Sequence, residues 1–152
     1  MKARKPRVLA ISSGGGHWVQ LLRLRPAFAD CELIFATVRR GYAAEVQGYA
    51  FHVVPDANRS HRAKLIWVAV AITVLVLRLR PDVIISTGAA PGYIGLRLGK
   101  LFRARTIWVD SVANAEELSM SGHKVRDYAD LWLTQWPHLA REGGPMFQGS
   151  VL

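Results

Sequence analysis

The sequence predicts an α/β domain built on a Rossmann-like, doubly wound parallel sheet. Apolar runs alternate with helix-like stretches along the chain, the pattern of strands joined by crossover helices. Val83-Ile84-Ile85 and Thr106-Ile107-Trp108-Val109 are unbroken apolar runs, as expected of parallel strands buried on both faces. The turn Ser13-Gly14-Gly15-Gly16-His17 follows the run Val8 to Ile11 directly and opens onto a helix-like segment, giving strand, glycine turn and helix in succession.

The elements follow in order. A strand at 8–12 ends at the glycine turn, and a helix covers 17–29. Cys31 begins the apolar run of a strand at 32–38, a short helix falls near 42–47, and a strand lies at 51–54. A long helix spans 61–80, followed by a strand at 82–86. The small residues of the next loop lead into a helix at 92–102, and a strand occupies 106–109. A helix is expected at 115–121, with Glu116 and Glu117 in its first turn, where the helix dipole favours negative charge. A sixth strand covers 131–134. No repeat or linker divides the chain, so 1–152 reads as one domain, and the 51% hydrophobic content is ample for its core.

Composition narrows the function. The formal net charge of +9 calls for an anionic partner: phospholipid, nucleic acid or a diphosphate. Cys31 is the single cysteine, so no intramolecular disulfide is available and an oxidising compartment is not indicated. The basic start (Lys2, Arg4, Lys5, Arg7) is followed by too short an apolar run for a signal peptide, which gives a cytoplasmic expectation. Aromatic and basic residues are not interleaved as single-strand nucleic-acid platforms require, so no nucleic-acid partner is expected, although a basic nucleotide- or nucleic-acid-binding protein is the rival class. No His/Cys/Asp/Glu set has metal-ligand spacing, and neither a metal nor a cofactor is expected.

In an open α/β sheet, ligands bind at the loops beyond the carboxyl ends of the strands. Three such loops carry unusual chemistry. The first is Ser13-Gly14-Gly15-Gly16-His17, which lacks both the G-x-G-x-x-G spacing and the Lys-Ser/Thr of a P-loop. The second is Thr87-Gly88-Ala89-Ala90-Pro91-Gly92, and the third runs from Asp110 through Asn114 to Glu117. Two helix N-termini would converge there with an imidazole and a carboxylate, a cradle for a diphosphate on backbone N–H groups. Ser13, Gly14, Gly15, Gly16, Gly88, Ala89, Pro91, Gly92 and Asn114 are its candidate binding residues. Three roles fit His17: general base, hydrogen-bond donor to a phosphate, or helix cap. Asp110 fits either a catalytic carboxylate or the cap of the following helix.

The stretch Leu65 to Leu77 carries no charge, and as a helix it spans about 20 Å, short of the ~30 Å of a bilayer core. Arg59, Arg62 and Lys64 flank one end and Arg78 and Arg80 the other, with Trp67 near the first cluster. Contact with an anionic membrane surface through Arg62, Lys64, Trp67, Arg78 and Arg80 is one reading. A fully buried crossover helix is the other. The tail Pro145-Met146-Phe147-Gln148-Gly149-Ser150-Val151-Leu152 likewise fits a docking segment for another chain or a last strand on its own domain.

These loops and the C-terminal third resemble one family. The run Trp108-Val109-Asp110-Ser111-Val112-Ala113-Asn114 continues to Leu118-Ser119-Met120-Ser121-Gly122 and to Ala129-Asp130-Leu131-Trp132-Leu133-Thr134-Gln135-Trp136-Pro137. It is similar to the IES-x-A-R, LS-x-[ST]-G and D-x-[FW]-x-x-Q-W-P segments of the oligosaccharide-biosynthesis Alg-fourteen/PssD family. Asp110 stands where that pattern carries Glu, and Asn114 where eukaryotic members carry Arg. The resemblance implies the N-terminal, acceptor-side half of a GT-B glycosyltransferase, similar to the first domain of MurG-type enzymes. It implies a companion GT-B C-terminal-type chain that binds the UDP-sugar and docks near Gln135, Trp136, Pro137, Phe147, Val151 and Leu152. It also implies a polyprenyl-diphosphate-linked saccharide acceptor, an inverting transfer in bacterial exopolysaccharide or capsule assembly, and a peripheral place at the cytoplasmic face of the cell membrane. A non-catalytic anchor that only recruits the catalytic chain is the alternative within the same family.

Overall fold

The computed structural model describes residues 4–56 and 61–151. Its first strand is β1 (Arg7–Ile11), followed by β2 (Glu32–Thr37), β3 (Ala50–Val53), β4 (Val83–Ser86), β5 (Arg105–Val109), β6 (Leu131–Thr134) and β7 (Met146–Phe147). All pair in parallel, in the order β3-β2-β1-β4-β5-β6-β7. The helices are α1 (Gly16–Arg23), α2 (Arg62–Leu79), α3 (Ala89–Leu101) and α4 (Met120–Lys124). The α/β, Rossmann-like expectation is met, with one more strand than the six expected.

Alternation along β1 divides the core. Leu9 and Ile11 point to one face, where they meet Val68, Ile72 and Val76 of α2 and Leu96 of α3. Val8 and Ala10 point to the other, against Trp18 and Leu21 of α1 and Phe35 of β2. Gly95 and Gly99 let α3 settle onto the sheet. An added Cβ at Gly99 would lie 2.7 Å from Ile84 Cδ1, and one at Gly95 3.1 Å from Ile11 Cγ2.

Element boundaries depart from expectation for local reasons. The helix expected over 17–29 stops at Arg23, and Pro26 instead sits at the start of a 3-10 turn, Arg25–Phe28. The segment near 42–47 is also a 3-10 helix, Arg40–Val46. The third helix begins at Ala89 rather than Gly92, because Pro91 is tolerated in a first turn whose N–H groups have no intrahelical acceptor. The helix expected at 115–121 is displaced to Met120–Lys124, where the Ser119 hydroxyl accepts the Gly122 N–H at 2.8 Å. Glu116 and Glu117 therefore sit in a bend, not in a helical first turn.

Two aspartates clip neighbouring strands at the amino-terminal edge of the sheet. Asp82, just ahead of β4, accepts the Arg7 backbone N–H at 2.7 Å and the Arg4 guanidinium at 2.8 Å. Asp130, just ahead of β6, accepts the Thr106 N–H at 2.9 Å and its hydroxyl at 3.1 Å, with the Lys100 ammonium on its other oxygen. The Arg7 N–H, helped by Arg4, holds the Asp82 carboxyl below the usual carboxylate range. Burial pushes Asp130 up, but Lys100 and Thr106 outweigh it and leave a net lowering. Folded values below unfolded ones mean stability that is complete above the ordinary value of about 3.9 and lost as pH falls through the folded values. Thermal melts are thus expected to hold steady from pH 7 to about pH 5 and to drop below about pH 4, with a shallower drop in an Asp82→Asn/Asp130→Asn variant.

Candidate functional site

Strand order reverses between β1 and β4, so the loops that leave these strands part to opposite faces and open a crevice at their carboxyl ends. The two glycine loops meet there. His17, in the first turn of α1, places Nδ1 3.0 Å from the Thr87 carbonyl oxygen, and the Thr87 hydroxyl donates to the His17 carbonyl at 2.6 Å. A carbonyl can only accept, so Nδ1 carries the proton of the neutral ring and Nε2 keeps its lone pair. The clamp thus fixes both the ring and its tautomer.

Gly88 makes this possible. Its φ is +144°, and an added Cβ would lie 2.3 Å from His17 Nδ1. Gly88→Ala is therefore expected to expel the imidazole from the clamp and to destabilise the fold by about 2 kcal/mol, through backbone strain and overpacking together. Thermal melting of the variant checks it.

Both helices that open on the crevice lack a side-chain cap and an acidic residue in the first turn. The Gly15 and Gly88 N–H groups are taken by Tyr42 and by Ser86 Oγ, and Pro91 has none, so what each helix offers an anion is its positive dipole end and the remaining first-turn N–H groups. By contrast, α4 is capped internally by Ser119. Arg39, directly beyond β2, lies against the first loop, its Nε 3.1 Å from where a Gly14 Cβ would be. Tyr42 accepts the Gly15 N–H at 3.0 Å. Neither residue is among the sequence candidates. The signal was there, in a basic pair at 39–40 following the second strand.

The third loop is built inward. Asp110 is 1% exposed, and its carboxylate accepts four hydrogen bonds: Trp108 Nε1 (3.0 Å), Ser119 Oγ (2.6 Å), Ser119 N (2.9 Å) and Asn114 Nδ2 (3.2 Å). Asp110 and Asn114 are thereby committed to each other and to the start of α4. Gln20 of α1 receives the Val112 N–H and donates to Ser111 Oγ, and Gln135 donates to the Asp110 carbonyl and, at 2.5 Å, to Gln20 Oε1.

Several candidate residues are placed differently from expectation. Gly88, Pro91 and Gly92 are buried rather than on the crevice surface, and a Cβ on Gly92 would collide with Ser86 Oγ. Ser13, Gly14 and Ala89 are half-buried, and Gly15 and Gly16 exposed, on the rim. Gln135 is buried because it ties α1 to the Asp110 loop, not a surface for another chain. Val151 reaches back to it, its N–H on Gln135 Oε1 at 2.9 Å and its carbonyl on Arg23 at 2.7 Å. Trp136 is half-buried, with Nε1 on the Val112 carbonyl at 2.8 Å. Phe147 lies in β7, which pairs with β6, so this part of the tail completes its own sheet. Pro137 and Phe147 remain exposed. Arg59 and Leu152 lie outside the described residues.

On α2, Val68, Ile72 and Val76 are buried, while Ile66, Trp67, Val70, Val74 and Leu77 form an exposed apolar stripe. Trp67 is 64% exposed, so this is not a fully buried crossover helix. Arg62, Lys64, Arg78 and Arg80 are exposed at its ends. Among the described residues, no helix is long and apolar enough to cross a membrane, and no three His, Cys, Asp or Glu side chains gather as a metal site.

Residues 52–148 match the family model described as oligosaccharide biosynthesis protein Alg14 like. The mouse protein named UDP-N-acetylglucosamine transferase subunit ALG14 is 26% identical over 171 residues, 88% of this chain and 76% of that protein. Its namesake in Eremothecium gossypii is 28% identical over 169 residues, 90% of this chain and 75% of that protein. Among solved structures, Acinetobacter baumannii MurG superposes with a TM-score of 0.77 at 10% identity, over 97% of this chain and 46% of MurG. The chain thus spans less than half of MurG, and that likeness concerns the fold.

Proposed function

The chain belongs to the Alg14-like family of oligosaccharide biosynthesis proteins, and from that premise we propose that it is the acceptor-binding, membrane-associating subunit of a two-chain inverting glycosyltransferase. In this reading a companion chain binds the UDP-sugar in a second lobe, and this chain presents a polyprenyl-diphosphate-linked saccharide, in exopolysaccharide or capsule assembly. The observation that carries it is the crevice between β1 and β4. There, two uncapped helix N-termini and Arg39 stand beside an imidazole whose tautomer is set by Thr87. The curated relatives are named as subunits of a UDP-N-acetylglucosamine transferase, which supports both the companion chain and the donor class.

The Ser13–His17 loop and the Ala89–Ala90 start of α3 receive the acceptor diphosphate, with Arg39 as counter-charge. His17 Nε2 accepts the proton of the attacking sugar hydroxyl as the new glycosidic bond forms and the nucleoside diphosphate departs. Asp110 and Asn114 hold the loop that closes the crevice on its third side. Transfer from UDP-N-acetylglucosamine to a lipid-linked acceptor tests the reading, with each chain alone and both combined. Turnover only in the mixture supports it, and full turnover by this chain alone refutes it.

The exposed stripe of α2, bordered by cations, is the proposed contact with the cytoplasmic membrane face. Burying Trp67 and Leu77 in an interface contributes roughly 1.5–3 kcal/mol each, and a nearby Lys or Arg about 1 kcal/mol on an anionic surface. Trp67→Ala/Leu77→Ala is therefore expected to weaken binding to phosphatidylglycerol-containing vesicles by at least about tenfold in a flotation assay, with the fold intact because both side chains are exposed.

A further inference from the structure

Between α2 and α3 runs an apolar trough that the proposed chemistry does not use. Its upper part has a volume of about 450 Å³ and is lined by Leu65, Ala69, Ala90, Tyr93 and Ile94, with Lys124 at its edge. Its lower part, about 540 Å³, shares Ala69, Tyr93 and Ile94 with the first and continues past Leu98 to Leu101 and Tyr128. The two adjoin at these shared residues. From Ala90 to Leu101 the trough follows α3 for about 16 Å.

We infer that this trough seats the polyprenyl chain of the acceptor, leading it from the diphosphate at the crevice to the bilayer. The inference rests on the acceptor reading above and adds the path of the chain. Three observations carry it. First, the upper end is Ala90, in the first turn of the helix whose N-terminus faces the crevice, so an anionic head held there leaves its tail at the mouth of the trough. Second, the upper wall includes Ile66, which belongs to the exposed stripe of α2, so the channel opens along its side onto the surface proposed to meet lipid. Third, Lys124 stands at the upper end, toward the crevice, and among the described residues no carboxylate lines the trough. Farther down, Lys100 is neutralised by Asp130 and Arg97 lies over the Tyr128 ring. A cation at the head end and an apolar run beyond it suit an anionic amphiphile. A bilayer phospholipid has its phosphate in the headgroup plane, whereas here the polar end of the channel is the crevice itself. That favours the acceptor's own chain.

Ala69 of α2 lines both parts, opposite Tyr93 and Ile94 of α3. Ala69→Phe places a ring across the channel, and in the assembled two-chain enzyme it is expected to raise the ratio of KM for a long-chain to KM for a water-soluble, short-chain acceptor by about tenfold. An unchanged ratio overturns the inference. A second measurement uses the unaltered chain with its companion in phosphatidylglycerol-containing vesicles and a polyprenyl diphosphate carrying a diazirine on an isoprene unit near the head. Adducts on Tyr93 and Ile94 that excess unlabelled polyprenyl diphosphate suppresses support it. Adducts confined to Trp67, Val70 and Val74, or suppressed only by extra phospholipid, overturn it. Transfer to the short-chain acceptor reports separately on the function itself: if that succeeds while the labelling misses the trough, only the path of the chain is wrong.

Discussion

His17→Ala is expected to lower kcat of the assembled two-chain enzyme by about 10²- to 10⁴-fold, the range associated with removing a general base. Alanine removes both the base and the clamp on Thr87, so a second variant separates the two. In His17→Asn the amide nitrogen takes nearly the place of Nδ1 and can still donate to the Thr87 carbonyl, which lies 3.0 Å from that atom. What it lacks is Nε2. If His17 accepts the proton of the attacking hydroxyl, asparagine is as inactive as alanine while acceptor binding and melting temperature stay near those of the parent. If His17 only ties the two loops together, asparagine restores most of the turnover. Thr87→Val tests the same clamp from the other side. It deletes the 2.6 Å hydrogen bond to the His17 carbonyl but leaves the imidazole and its acceptor in place. The loss is then expected to be about tenfold, an effect of orientation rather than of proton transfer. Parent-like turnover in His17→Ala would remove the imidazole from the chemistry.

The parts of this arrangement legible in the sequence are those dictated by local pattern. Continuous apolar runs located six of the seven strands, and the glycine turn after the first run located the crevice and His17. The seventh strand, Met146–Phe147, has two residues and no periodicity to betray it, because its pairing with Leu133 and Thr134 supplies what its own sequence lacks. What sequence could not show is direction. Gln135 and Asp110 are polar residues at strand ends, where exposure is the usual outcome, yet both are buried: Gln135 because Gln20, 115 residues away in the chain, meets it in one internal network, and Asp110 because Trp108, Asn114 and Ser119 fold their donors onto its carboxylate. The same holds for Gly88 and Gly92. Their small size reads as access for a ligand, but the space is taken by His17 and Ser86. On α2 the pattern is apolar all round, so which side faces the sheet is decided by packing, and only the structure separates Val68, Ile72 and Val76 from the exposed stripe.

Asp110→Ala is expected to destabilise the domain by about 3–5 kcal/mol, because it strands several buried donors at once. The carboxylate is the common acceptor for Trp108 Nε1, the Ser119 N–H and hydroxyl, and the Asn114 amide. Deleting it leaves four donors facing a cavity, and a buried donor without an acceptor costs about 1–3 kcal/mol. The loss is a large share of the roughly 5–15 kcal/mol that holds an ordinary domain folded. For a chain of this length it corresponds to a fall in Tm of roughly 10 °C or more, read by circular dichroism. Asp110→Asn is isosteric but turns an NH₂ group toward donors, so part of the loss remains. Gly122→Ala approaches the same network from outside, since its Cβ would lie 2.5 Å from Asp110 Oδ1, and is expected to lower Tm in the same direction. These variants also divide the two roles read for this carboxylate. If Asp110 organises the loop, turnover falls in step with stability in all three, and conditions that restore the fold restore activity. If instead Asp110→Ala melts within a degree or two of the parent yet loses turnover, the carboxylate acts on the substrate, and the base in this crevice is Asp110 rather than His17.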